Sequence, residues 1–171
     1  SNHFLEKVED EFELQIQKAI QNNIDINHLD SHRHIHLIPS IYKIVYGLST
    51  KYNIRRVRLV NENIFHSLKL TKKINFFING GLLKYFLLKI FTIVNKLHGN
   101  KYENIFFYSI LYTGVIGRTS LHNLMSSNTF YEIVVHPSCI NLDKDIAFYN
   151  DAEKAYRLSA NRSLELLAIL K

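Results

Sequence analysis

Apolar residues recur at spacings of three and four along the start of the chain: Phe4, Leu5, Val8, Phe12, Ile16, Ala19 and Ile20. Glu6, Glu9, Asp10, Glu13 and Lys18 take the opposite face, which predicts an amphipathic helix over 4–22 that ends at "QNN". Ile24 to Asp30 reads as a short strand. Pro39 suits the first turn of a second helix over 39–52, with Ile41, Ile44, Val45 and Leu48 as its apolar stripe. "NIRRVRLV" then alternates like a strand, and 61–78 reads as irregular or weakly helical. A strong helix follows over 80–98, with Leu82, Leu83, Phe86, Leu87, Ile90, Val94 and Leu97 expected on its buried side. "NIFFYS" (104–109) and "FYEIVV" (130–135) are the remaining strands. A short helix opening at Thr119 or Ser120 and reaching about 126 lies between them, and a last helix covers 151–169. Helices alternating with short apolar strands predict an α/β fold with a largely parallel sheet.

Composition adds bounds. With 171 residues, 47% of them hydrophobic, one domain with its own core is the expectation. The net charge is +6. The densest basic run, "RRVR" at 55–58, alternates with apolar residues and lacks interleaved aromatics, so the excess reads as solvated surface and no nucleic-acid partner is expected. Cys139 stands alone, so no intrachain disulfide forms, and a reducing cytoplasm fits; as a small residue it reads as buried rather than nucleophilic. The N-terminal pattern is a charged helix and not a secretory signal. Lys84, Lys89 and Lys96 interrupt the apolar stretch 74–97, which argues against a membrane span and for a buried helix, with membrane-surface contact as the lesser alternative.

The chemistry concentrates in "HLDSHRHIH". His28, Asp30, His32, His34 and His36 occupy every even position from 28 to 36. In an extended segment such a row shares one face, and imidazoles with a carboxylate suit a divalent ion or proton transfer. The row also follows a strand, where α/β folds place their sites. Four histidines cannot all bind one ion, and Pro39 forces the segment to bend, so one or two of them serve substrate or packing. His136, delivered by "YEIVV" and stiffened by Pro137, is a second candidate. Arg58 and Glu62 flank another strand end and read as a structural ion pair. Arg162 and Glu165, at i and i+3, read as a helix-surface or helix-to-barrel contact. Tyr108, Tyr112, Thr113 and Gly114 are placed to shape a pocket.

"HLDSHRHIHLIP" resembles the signature of the YdjC-like carbohydrate deacetylases. The resemblance continues in order through "YNIRRVRLVNEN", "GGLLKYFLLKI", "IFFYSILYTGVI", "YEIVVHPSCIN" and "YRLSANRSLELLAIL", so that it covers essentially the whole chain. It implies an irregular (β/α) barrel and metal-dependent removal of an acetyl group from an N-acetylated sugar or oligosaccharide. In that chemistry a divalent ion, magnesium or zinc, activates water and polarises the acetyl carbonyl. Carried over by position, His32 matches the metal ligand and Asp30 the orienting acid or base. His34 and His36 line the site, Arg58 and Glu62 match the family's Arg-Glu pair on the substrate side, and His136 is a candidate acid or substrate contact.

The family's opening Asn-x-Asp-Asp-Phe-Gly strand and its later metal-binding histidine have no counterpart here. The resemblance therefore implies the C-terminal two thirds of the domain, an incomplete barrel lacking its first strands. Its metal would be weakly held, and a homodimer would cover the exposed barrel edges. The alternatives carried forward are an inactive relative serving as an interaction module and another metal-dependent hydrolase such as a phosphoesterase.

Overall fold

The computed structural model describes residues 2–71, 81–98, 105–108, 110–112, 116–125, 130–137 and 149–170. In chain order its elements are α1 (Asn2–Gln21), β1 (His28–Leu29), a 3-10 segment (His32–Leu37), α2 (Pro39–Lys51), β2 (Arg56–Val57), α3 (Ile64–Thr71), α4 (Gly81–Lys96), β3 (Phe106–Tyr108), α5 (Arg118–Met125), β4 (Tyr131–Ile133), α6 (Asp151–Arg157) and α7 (Ala160–Ile169). They fall into two compact units, Ser1–Asn61 with Phe86–Asn104, and Glu62–Tyr85 with Ile105–Lys171. The mixture is α/β, as expected. Among the described residues the strands make two parallel pairs, β1 with β2 and β3 with β4, each joined through a helical crossover. No helix among the described residues is long and apolar enough to cross a membrane. Cys139, Thr113, Gly114 and 72–78 lie outside the described residues.

In the first unit, β1 and β2 pair His28 with Arg56 and Leu29 with Val57. Ile16 of α1, Leu48 of α2 and Ile54 form a core cluster, against which Phe12, Ile26, Leu29, Ile44 and Tyr52 pack. Both helices stop on an asparagine in the left-handed region, Asn23 at φ 58° and Asn53 at φ 53°. Asparagine tolerates that conformation, and the reversal lets Ile24 and Ile54 bond back to the carbonyls of Ala19 and Ser49 (3.1 and 2.8 Å). Glu13 ties α1 to the end of α2. Its carboxylate receives Lys51 Nζ at 2.5 Å and the Tyr52 hydroxyl, and these donors hold its pKa below the usual carboxylate range.

α4 reverses its expected orientation. Tyr85, Leu88, Thr92 and Asn95 are its buried stripe, while Leu83, Phe86, Leu87, Ile90, Ile93 and Leu97 are exposed. Two polar side chains explain the turn. Thr92 Oγ1 accepts the Val60 N–H at 3.3 Å, and Asn95 Nδ2 donates to the Leu37 carbonyl at 2.8 Å. Buried backbone groups outside regular ladders need such partners, and an apolar side chain offers none.

In the second unit, Phe106, Phe107 and Tyr108 pair with Tyr131, Glu132 and Ile133. α5 packs on α3 and α7, burying Leu124 and Ser120. The stretch 64–71, expected to be irregular or weakly helical, forms α3; Asn63 Oδ1 accepts the N–H groups of Phe65 and His66 (3.0 and 3.1 Å) at its start. The single closing helix expected over 151–169 is instead α6 and α7, separated at Ser159, whose backbone is extended (φ −65°, ψ 136°).

Candidate functional site

The histidine row is not extended beyond Asp30. Arg33 (φ 54°, ψ 20°) and His34 (φ 60°, ψ 29°) are consecutive left-handed residues inside the 3-10 segment. Each such residue costs about 1–2 kcal/mol, so the surrounding bonds must fix the turn. Ser31 supplies them. Its carbonyl accepts the His34 N–H (3.2 Å), and its hydroxyl accepts the His36 N–H (2.9 Å). The turn splits the row. His32 and Arg33 stay exposed, while His34 and His36 are buried.

His36 is held on both ring nitrogens. Nε2 lies 3.0 Å from the Arg58 carbonyl, which can only accept, so Nε2 carries the hydrogen. Nδ1 then accepts the Ser31 hydroxyl at 2.7 Å. This pattern requires a neutral ring, and burial pushes the His36 pKa down to about 4. The hydrogen bond to the Arg58 carbonyl opposes that effect, the Arg58 charge adds to it, and the smaller influences of Asp30 and His28 raise and lower the pKa respectively. The His34 ring lies 6.4 Å from that of His36, tilted by 53°.

Asp30 and Arg58 follow the paired ends of β1 and β2. The Arg58 N–H extends the ladder to the Leu29 carbonyl (2.9 Å), and its guanidinium meets Asp30 Oδ2 at 2.5 Å. The aspartate side chain remains 42% exposed while the arginine is 14% exposed, so the carboxylate stays open to an approaching ligand. The structure thus brings Asp30, Arg58 and His36 together at the carboxyl ends of two parallel strands, with exposed His32 close in sequence. A cavity of about 200 Å³ opens beside Asp30, lined by apolar residues of α1 and α2 that include Phe12, Ile16, Val45 and Leu48.

Glu62 and His136 belong to the second unit, and each has its own partners. The Glu62 carboxylate is fully buried, accepting the Ser67 hydroxyl and the Ile110 N–H, both at 2.7 Å. The Tyr85 hydroxyl donates to its backbone carbonyl at 3.1 Å. Burial, then the Glu62 charge, raises the Tyr85 pKa; burial also lifts Tyr112 to about 12, so both phenols stay protonated. Tyr108 and Tyr112 are buried as well.

His136 sits in a clamp. Its N–H donates to Glu165 Oε2 (2.6 Å), whose other oxygen accepts the Ile116 N–H (3.1 Å). Its carbonyl receives Arg162 Nε (2.8 Å), and Arg162 Nη2 reaches the Pro137 carbonyl (3.4 Å). The Tyr156 ring lies edge-on to the His136 imidazole and under the Arg162 guanidinium, at 6.3 and 5.1 Å. Arg162 and Glu165 are thus the inward contact of the closing helix. Ser31 and Tyr156 are the residues that sequence reasoning passed over. A serine directly before a histidine run is a recognisable turn signal, whereas nothing in the chain order marks Tyr156.

The model of the YdjC-like protein family matches residues 1–171. A carbohydrate deacetylase of Clostridium beijerinckii is 30% identical over 69 residues, which cover 39% of this chain and 28% of that relative. The match therefore spans less than a third of the relative's length. No solved structure matches the chain. With the family match running the full length of the sequence, the chain belongs to the YdjC-like family.

Proposed function

We propose that the chain carries a carbohydrate deacetylase function, the hydrolysis of an acetyl group from an N-acetylated sugar. The observation that carries this reading is the full-length family match, joined by the carbohydrate deacetylase relative. The parallel βα units fit a (β/α) barrel, which we propose as the parent architecture, and the single Cys139 fits a cytoplasmic setting.

In this reading Asp30 is the acid or base, partly exposed and oriented by Arg58. His32, the exposed imidazole of the row, is a ligand for a divalent ion, magnesium or zinc. His34 and His36 back the site from beneath. Glu62 acts on the substrate side through the backbone it fixes, and His136 is a second proton-transfer candidate whose backbone is clamped by Glu165 and Arg162. Among the described residues no group of three or more His, Cys, Asp or Glu stands together to hold a metal ion. The row by itself is not a metal centre, and His32 is proposed as one member of a ligand set.

A second reading is an interaction module without turnover. The deciding experiment measures acetate released from N-acetylglucosamine oligosaccharides with Mg²⁺ or Zn²⁺ supplied. Acetate release that falls with Asp30→Asn supports the deacetylase. No release under any metal, with the protein folded, supports the module, and phosphate release from phosphoesters instead would point to a phosphoesterase.

A further inference from the structure

The bonds around Asp30 close into a ring that lies wholly within the first unit. The Ser31 hydroxyl donates to His36 Nδ1 (2.7 Å), and His36 Nε2 donates to the Arg58 carbonyl (3.0 Å). The Arg58 N–H donates to the Leu29 carbonyl (2.9 Å), one residue before Asp30. The Arg58 guanidinium then meets Asp30 Oδ2 at 2.5 Å, and the chain returns from Asp30 to Ser31.

The ring has one direction. A carbonyl can only accept, so the His36 hydrogen sits on Nε2 and Nδ1 needs a donor, which the Ser31 hydroxyl supplies. The same oxygen accepts the His36 N–H at 2.9 Å. The serine thus spends its donor and an acceptor site on one residue. His36 is fully buried, so no water replaces a partner that is lost. Its imidazole is pinned at both ends, and with it the carbonyl of Arg58, whose N–H is already held by Leu29. The Asp30 carboxylate, by contrast, is 42% exposed. An ion pair so open to water is too weak to set its own geometry, so the direction of the guanidinium has to come from the backbone that carries it.

We propose that Ser31 and His36 are positioning residues: through the Arg58 backbone they fix how the guanidinium meets Asp30, and so hold that carboxylate for proton transfer. The proton-transfer role rests on the deacetylase reading, whereas the placement of Arg58 is measured without turnover. Two variants separate the hydroxyl from the bulk of the side chain. Ser31→Ala removes it. Ser31→Thr keeps it, and the extended backbone at Ser31 (φ −149°, ψ 157°) suits a β-branched residue.

The first measurement is NMR of the ¹⁵N-labelled full chain, with the Arg58 guanidinium signals assigned by their loss in Arg58→Gln. The parent should show His36 protonated on Nε2 alone and slowly exchanging Arg58 guanidinium N–H groups. Ser31→Ala should shift the His36 Nδ1 signal and speed the Arg58 exchange by about tenfold, and Ser31→Thr should restore both. The second measurement is acetate release from N-acetylglucosamine oligosaccharides with Zn²⁺ supplied, at a temperature where circular dichroism shows each variant folded. Ser31→Ala should lower kcat by about tenfold with KM nearly unchanged, and Ser31→Thr should recover most of it. Unchanged His36 and Arg58 signals in Ser31→Ala overturn the proposal whatever the turnover. A Ser31→Ala variant with a loosened Arg58 and the parent's kcat also overturns it, because the ring then serves folding alone. A folded parent that releases no acetate under any metal removes the deacetylase reading instead, and the NMR result alone then decides whether Ser31 and His36 place Arg58.

Discussion

Glu165→Gln tests the clamp around His136 most directly. The parent carboxylate is fully buried and accepts two backbone N–H groups, from Ile116 at 3.1 Å and His136 at 2.6 Å. Glutamine has nearly the same shape but only one oxygen. Its NH₂ must face one of the two donors, so one N–H loses its acceptor and the other keeps a neutral bond in place of a charge-assisted one. A buried unsatisfied donor costs about 1–3 kcal/mol, and the change from charged to neutral acceptor about 1 kcal/mol more. Removing a buried charge gives back part of this, since the carboxylate no longer has to be desolvated. The net expectation is a loss of roughly 2–3 kcal/mol, or a shift of about 1–1.5 M in urea midpoint if the slope is ~2 kcal/mol/M. Glu165→Ala, which loses both acceptors and leaves a cavity, should cost about 4–5 kcal/mol. Urea unfolding followed by circular dichroism measures the midpoints, and hydrogen exchange at the Ile116 and His136 amides locates the effect. The reasoning is refuted if the glutamine variant unfolds within about 0.2 M of the parent while both amides keep their protection.

Other perturbations bear on the first unit. Ser31→Ala removes the hydroxyl that bridges the N–H and Nδ1 of His36 and should cost about 2 kcal/mol in thermal or urea unfolding; a neutral result would mean that the left-handed pair at 33 and 34 holds without it. The His36 pKa is depressed to about 4, so the unfolded chain takes up the proton first. This stability is present above about pH 6.5 and lost as pH falls through about 4, amounting to roughly 3 kcal/mol. Urea midpoints measured across that window should fall in the parent and fall less in His36→Gln; parallel slopes would remove His36 as the cause. Arg58→Gln should change stability by no more than about 1 kcal/mol, because Asp30 is well exposed, yet lower acetate release at least tenfold if Asp30 needs its partner. His32→Ala should leave stability within about 0.5 kcal/mol and weaken Zn²⁺ binding by calorimetry; unchanged binding would take His32 out of the ligand set.

Periodicity located the helices well because it reports a property of the local chain. α1, α2, α4 and α5 begin and end within a few residues of where apolar spacing, Pro39 and the asparagine stops put them. Periodicity could not say which face of α4 turns inward, because its amphipathic stripe is legible but its partner is not. Thr92 and Asn95 decide the matter through the Val60 N–H and the Leu37 carbonyl, groups 32 and 58 residues away in the chain. Nothing near residue 92 announces them. The histidine row shows the same limit on a shorter scale. Alternation suggested one extended face, but two non-glycine residues with positive φ turned it into a 3-10 segment, and a single serine hydroxyl holds that turn. The break between α6 and α7 was legible in hindsight from Ser159, a residue favoured where helices begin.

The fate of the carboxylates sharpens the candidate chemistry. Glu62 and Glu165 each engage both oxygens with donors inside the second unit, and each is fully buried. Moving either one would leave backbone N–H groups of Ile110, Ile116 or His136 without acceptors, so both carboxylates hold the local backbone in place. Asp30 differs in kind. It pairs with the Arg58 guanidinium, its carboxylate is 42% exposed, and it follows a parallel strand pair at the end where α/β folds assemble sites. A group that trades protons with a ligand must be reachable and must survive a change of charge without unfolding its surroundings. Asp30 meets both conditions, and exposed His32 meets them beside it. His36, neutral and bonded on both nitrogens, meets neither. Within the row, exposure therefore agrees with the roles proposed for Asp30 and His32, while His34 and His36 are buried beneath the turn.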